Sequence, residues 1–136
     1  MSFSGAKLAL FLGPDLLVIR RDDRPDIPYP DHWDLPGGGR EGEETPQTCA
    51  LRETEEEVGL VLTPDALVWT RSYLRPRGLV WFFAAHLPAD AADEVVFGSE
   101  GQGWRLMPPG DYSSHPKAVP HLAEQIGHYT AQLPVL

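Results

Sequence analysis

Residues 37–60 read GGGREGEETPQTCALRETEEEVGL, and their order lays down a loop, a helix and a glycine stop. Thr45 suits an N-cap, and Pro46 fits the first helical position, where its missing N–H goes unneeded. Gly59 suits the left-handed position that closes a helix, so a helix is expected from Pro46 to about Val58. The glycine-rich segment 37–44 ahead of it is expected to be a loop. Within the helix, Glu53, Glu55, Glu56 and Glu57 crowd into five consecutive positions. Like charges three or four residues apart destabilise a helix by about 0.2–0.5 kcal/mol per pair. A bound cation, nearby arginines or plain solvation must offset that repulsion.

At about 100° per residue, Glu53, Glu56 and Glu57 share an arc of about 100°, whereas Glu55 points elsewhere. Leu51, Thr54 and Val58 form the side expected to pack on a sheet. Most acidic runs are simply solvated faces. Here, however, the i, i+3, i+4 spacing maximises repulsion, and the C-terminal end of a helix disfavours negative charge. A hard divalent cation answers both penalties. Carboxylate oxygens suit Mg²⁺ or Mn²⁺, and the set lacks the His and Cys ligands that favour zinc. Arg52 stands four residues before Glu56, at the spacing of an intrahelical ion pair. An exposed pair adds little stability, so its expected use is to hold that carboxylate in position.

The rest of the chain sets limits on partners. Its 136 residues are expected to form a single domain over 1–136, long enough for one hydrophobic core. Eleven basic against twenty acidic side chains give a net charge of −9. Seven acids against Arg52 alone between residues 41 and 57 give −6 of that total. A patch of that sign repels nucleic-acid backbones and attracts cations, so a long polynucleotide partner is disfavoured. Cys49 is the one cysteine, which excludes an intrachain disulfide and fits a reducing cytosol, hence a cytoplasmic location. Inside a helical segment it is expected to be a small buried residue, not a nucleophile. The apolar N-terminal run is broken by Pro14 and Asp15 and lacks a cleavage site, so a hairpin strand fits better than a signal peptide. No stretch is long enough to cross a membrane.

KLALFLG (7–13) and LLVIRR (16–21) are expected to form a hairpin about Gly13-Pro14-Asp15. Residues 22–32 carry three prolines and are expected to be a loop, followed by a short extended WDLP (33–36). ALVWTRSYLR (66–75) and LVWFFAAHL (79–87) predict a second hairpin about Pro76-Arg77-Gly78. A loop through Gly103, a strand at 104–107 and a helix over about 117–133 complete the chain. Hairpins with few helices between them predict a mixed sheet with helices packed on its faces.

From Gly38 to Leu60 the chain resembles the Nudix box, G-x5-E-x7-R-E-U-x-E-E-x-G-U, where U is a bulky aliphatic residue. Gly38, Glu44, Arg52, Glu53, Glu56, Glu57, Gly59 and Leu60 all match. Thr54 departs from the pattern, standing where an aliphatic residue is usual; being β-branched, it still fits the core side. WDLPGG also resembles the family's usual lead-in. The resemblance to the Nudix hydrolases (MutT-like) implies an α/β fold, an α/β/α sandwich with a mixed β-sheet. It implies metal-dependent hydrolysis of the pyrophosphate linkage in a small nucleotide substrate such as a nucleoside triphosphate, ADP-ribose or a nucleotide sugar. The alternative is a Nudix-like module that senses a nucleotide without cleaving it, although such modules are expected to lose box carboxylates.

By the same resemblance, Glu53, Glu56 and Glu57 would hold Mg²⁺ or Mn²⁺, with Arg52 beside them. Glu44 would support the junction of loop and helix, and Gly37 and Gly38 would let the backbone approach metal or phosphate. Family members often add an acid from a loop after the sheet; Glu100 is the candidate, ahead of Glu94. For substrate contact, Arg71, Arg75 and Arg77 on the middle hairpin are candidates for phosphate, although strand arginines are commonly plain surface. Trp33 is a candidate for stacking on a base, as are Tyr29, Trp69, Tyr73, Trp81 and Phe83, several of which must be core. Pro76 resembles a proline of ADP-ribose-hydrolysing members and is equally a turn proline. His115, His121 and His128 are expected to be surface or structural. There is no G-x4-G-K-[ST] sequence, which excludes a P-loop. A homodimer is left open.

Overall fold

Apolar residues alternate through β1 (Gly5–Leu12) so that Ala6, Leu8, Leu10 and Leu12 face one way and Ala9 and Phe11 the other. This strand buries both faces, which places it at the centre of a sheet. In the computed structural model, which describes residues 2–133, β1 lies parallel to β6 (Gly78–Leu87) over their length. β6 pairs antiparallel with β5 (Trp69–Arg75), and β1 with β2 (Asp15–Arg20), through the two expected hairpins. β2 also pairs with β3 (Trp33–Asp34) and β7 (Gly103–Met107), and β1 with β4 (Gly37–Gly39), completing a seven-stranded mixed sheet.

Helix α1 (Pro46–Val58) covers one face, burying Cys49, Ala50, Thr54 and Val58 against the inward residues of β1 and β2. Helices α2 (Pro109–Ser114) and α3 (Pro120–Thr130) cover the other, where Tyr112, Leu122 and Ile126 pack on Phe11, Val18 and Phe82. The result is the expected α/β/α sandwich. Thr45 caps α1 by accepting the Thr48 N–H at 3.2 Å, and Gly59 closes it at φ 73°. Thr54, the departure from the box, donates its hydroxyl to the Ala50 carbonyl at 2.8 Å and packs as a core residue.

Four expectations need correction. Gly37–Gly39 is a strand, β4, paired with Gly5–Lys7 of β1, not part of a loop. Its backbone lies so close to β1 that a Cβ on Gly37 would fall 2.2 Å from the Ala6 carbonyl oxygen. β5 begins at Trp69, because Pro64–Ala66 winds into a 3₁₀ turn. The loop after β6 contains a 3₁₀ helix, Ala89–Glu94. The expected last helix is α3, shortened to start at Pro120, whose missing N–H fits its first position, and a short helix that was not expected, α2, precedes it.

Candidate active site

The stop signal at Gly59 fixes where α1 ends, and with it which side chains stand over β4. Glu57 turns inward, and its Oε1 accepts the Gly37 N–H at 2.7 Å. Burial pushes its carboxyl up to about 7, opposed by the Lys7 charge and by that N–H. Glu53 stands one turn earlier over Gly38, where a Cβ would lie 2.7 Å from the Glu53 carboxyl carbon. Burial raises this carboxyl too, against the lowering influence of Arg52. Glu56 is exposed, and Glu55 points to solvent as the helical arc predicts.

Arg52 is a hub. Its Nε donates to Glu44 Oε2 at 2.6 Å and its Nη2 to Glu44 Oε1 at 3.0 Å, a forked pair. Nη1 reaches Glu53 at 3.0 Å and Glu56 at 3.2 Å, and Nη2 also donates to the Gly39 carbonyl at 3.0 Å. The ion pair with Glu56 is therefore one contact of several, and Glu44 is the closest partner. Glu44 also accepts the Glu41 N–H at 2.8 Å, which ties segment 40–44 to the helix.

The loop after the 3₁₀ helix is fastened to the end of α1. Val96 N–H donates to the Val58 carbonyl and Gly98 N–H to the Glu57 carbonyl, each at 2.9 Å. These bonds use helix-end carbonyls that have no partner within the helix. They also bring Glu100 to a cavity of about 370 Å³ lined by Glu41, Glu53, Glu56, Glu57, Ser99 and Glu100. Glu94 lies at a different cavity, with Gly59 and Leu60.

Five carboxylates around one cavity, two of them with raised proton affinity from burial, form a site whose charge a cation would relieve. The donors are hard oxygens, as Mg²⁺ and Mn²⁺ prefer. Among the described residues no three His, Cys, Asp or Glu side chains form a preset metal cage. Arg52 holds Glu53 and Glu56 instead, so an incoming ion would share or replace those contacts.

The other candidates separate. Gly37 and Gly38 approach the Glu57 and Glu53 carboxyls directly, so their closeness serves the acids. Trp33 is buried at 7% exposure, with the Arg20 and Arg105 guanidinium groups 5.4 and 5.3 Å from its ring centroid. It is a core side chain, not an open platform for a base. Arg71 is exposed on β5, whereas Arg75 and Arg77 line a second pocket with Lys7, Arg21, Asp34 and His121. Cys49 is buried, its thiol pushed up to about 11 by burial, which suits the inert role expected.

Sequence reasoning passed over Lys7 and Asp34. Lys7 Nζ donates to both Asp34 oxygens at 3.0 and 3.1 Å and to the Leu35 and Gly37 carbonyls at 3.1 and 3.0 Å. Burial raises the Asp34 carboxyl, but Lys7 and Arg21 outweigh it and the group is held below its ordinary value. The signal was a lone lysine in an apolar strand. His121, expected at the surface or in a structural role, lines the second pocket and bonds the Tyr73 hydroxyl at 2.9 Å.

Residues 4–129 match the family model described as NUDIX domain, and the chain belongs to that family. An RNA pyrophosphohydrolase of Acidiphilium cryptum (strain JF-5) is 44% identical over 55 residues, covering 40% of this chain and 32% of that protein. The match thus spans about a third of the curated relative's length. Among solved structures, a C. elegans Ap4A hydrolase superposes with a TM-score of 0.73 at 20% identity, covering 93% of this chain and 96% of that one. The NUDIX domain of Shewanella oneidensis NrtR, complexed with ADP ribose, gives 0.72 at 18% identity, covering 98% and 90%. At these identities the structures speak for the fold.

Proposed function

We propose that the chain is a hydrolase that cleaves the diphosphate linkage of a small nucleoside diphosphate-linked substrate with Mg²⁺ or Mn²⁺. The observation that carries this reading is the gathering of Glu53, Glu56, Glu57 and Glu100 around one cavity beside the glycine strand. Membership of the family supports it, and so does the curated relative, which is named for pyrophosphate hydrolysis.

Glu53, Glu56, Glu57 and Glu100 would hold the metal. A bound divalent ion supplies charge neutralisation at the phosphate oxygens and a lower pKa for water. The protein's own residues do the rest. Arg52 holds the Glu53 and Glu56 carboxylates in a fixed orientation, and Glu44 keeps Arg52 in place. Water attacks one phosphorus, the bridging P–O bond breaks, and the water's proton passes to a carboxylate. The acceptor would be a carboxylate of this cavity that the ion leaves free.

The test is turnover of nucleoside triphosphates, ADP-ribose, nucleotide sugars and dinucleoside polyphosphates with Mg²⁺ or Mn²⁺, tracking phosphate and pyrophosphate. At least one is cleaved by the native protein, and Glu53→Gln or Glu56→Gln abolishes that activity while the circular dichroism spectrum stays native. Unchanged turnover in both variants contradicts the proposal. A folded protein that binds one of these compounds and cleaves none is instead a sensing module.

A further inference from the structure

Glu100 reaches the acid cavity from a loop, and among the described residues its side chain makes no ion pair and no hydrogen bond. Its place is therefore set by the backbone on either side. On the near side, Phe97 packs against the core beneath α1, and Gly98 N–H is bonded to the end of that helix. The far side is held by other contacts. Gln102 N–H donates to the Arg20 carbonyl at 2.8 Å. Its side-chain Nε2 donates to the Arg21 carbonyl and to Asp31 Oδ1, each at 2.8 Å. The chain also presses onto the end of β2, where a Cβ on Gly101 would lie 2.9 Å from the Arg20 carbonyl oxygen. Glu100 thus sits on a short span between two fastenings.

The far fastening is as firm as Asp31. Asp31 Oδ1 also accepts Arg20 Nε at 2.7 Å, and Oδ2 accepts Lys117 Nζ at 3.0 Å. The Arg20, Gln102 and Lys117 hydrogen bonds hold this carboxyl well below its usual range. It is ionised at neutral pH, so the bond from Gln102 is charge-assisted. The Asp31 N–H donates to the Asp22 carbonyl at 3.0 Å, and the residue sits at φ 59°, a left-handed conformation that is unfavourable with a Cβ. Such a conformation persists where its surroundings over-determine it. Asp31 joins β2, loop 22–32, the Glu100 loop and the segment ahead of α3, which are distant in sequence.

Stability alone is a poor reason for this junction. Gln102 and Lys117 are exposed, and exposed polar pairs add little to it. What the junction does fix is the direction in which the Glu100 span leaves β2.

We propose that Gln102, held by Asp31, is a positioning residue that sets Glu100 against the other acids of the cavity. The inference rests on the hydrolase reading for the use of Glu100 toward the ion.

The experiment is a double-variant cycle of Gln102→Met with Glu100→Gln. Gln102→Met keeps side-chain length and charge and removes the N–H donors; at an exposed position it is expected to leave the denaturation midpoint nearly native. One readout is Mn²⁺ alone, titrated by electron paramagnetic resonance. The other is kcat on whichever nucleoside triphosphate, ADP-ribose or nucleotide sugar the native protein cleaves fastest. Gln102→Met is expected to weaken Mn²⁺ binding and lower kcat about three- to tenfold, somewhat less than the loss of a direct partner of a metal ligand. In the Glu100→Gln background the same substitution is expected to change neither. A merely structural residue would act equally in both backgrounds. That result, or no effect of Gln102→Met at all, overturns the positioning role, and turnover by the native protein then leaves the hydrolase reading intact. The expected Mn²⁺ cycle without cleavage of any compound keeps the positioning role and removes the hydrolase reading. Neither Mn²⁺ binding nor cleavage by the native protein overturns both.

Discussion

Arg52 shows how a single side chain turns a repulsive cluster into a set of positioned carboxylates. Its guanidinium group spans Glu44, Glu53, Glu56 and the Gly39 carbonyl at once. A lysine amine is a point charge without the planar fork, so it can keep the charge but not this geometry. Arg52→Lys is therefore expected to lower kcat/KM by about 10–100-fold, the usual cost of losing a partner that orients metal ligands. Steady-state kinetics with saturating Mn²⁺ checks this; kinetics equal to the native protein's would show that Arg52 orients nothing. The resemblance placed Arg52 beside the acids, and spacing proposed its bond to Glu56. The stronger contact with Glu44, eight residues away, depends on how segment 40–44 folds back, and helical periodicity does not describe that.

At the scale of elements, α1 was legible because both its ends are set by local chemistry, Thr45 at one and Gly59 at the other. At φ 73°, Gly59 adopts a backbone conformation that strains any residue with a Cβ, and a Cβ there would also meet Val96 Cβ at 3.1 Å. Gly59→Ala is thus expected to destabilise the fold by about 1–2 kcal/mol, read as a lower denaturation midpoint. It is also expected to loosen the loop carrying Glu100, since Val96 N–H bonds Val58. A midpoint equal to that of the native protein would show that the cap is not needed. Other elements were not legible, for physical reasons. β4 is three glycines whose pairing comes from close contact with β1, a tertiary effect with no side-chain pattern. α2 has six residues and no apolar period; it is held by Tyr112, whose hydroxyl donates to the Trp33 carbonyl at 2.9 Å. The aromatic run suggested base-stacking platforms, but Trp33 was drawn into the core by its position between β2 and α2, information no single stretch contains.

Over the whole molecule, charge is sorted by place: Glu41, Glu53, Glu56, Glu57 and Glu100 line the cavity beside α1, and Lys7, Arg21, Arg75 and Arg77 line the pocket beside α3, although the composition shows only a net acidic chain. This sorting has a consequence for stability. His121 in the fold is lowered to about 4, whereas in the unfolded chain it titrates near about 6.5. Between those values the unfolded chain binds more protons, so His121 makes stability rise with pH in that window and fall as pH drops through it. Denaturation at pH 7 and pH 5 is expected to show that His121→Asn loses less stability on acidification than the native protein. Equal losses would mean that the imidazole is not buried neutral. Among the described residues no helix is long and apolar enough to cross a membrane.

The most direct measurement is a titration of Mn²⁺ followed by electron paramagnetic resonance, with a non-hydrolysable diphosphate nucleotide present, on the native protein and on the Glu53→Gln, Glu56→Gln double variant. The native protein should quench the free-ion signal at micromolar to millimolar metal, and the double variant should leave it nearly intact. Identical titration curves for the two proteins would contradict the assignment of these carboxylates to a divalent cation.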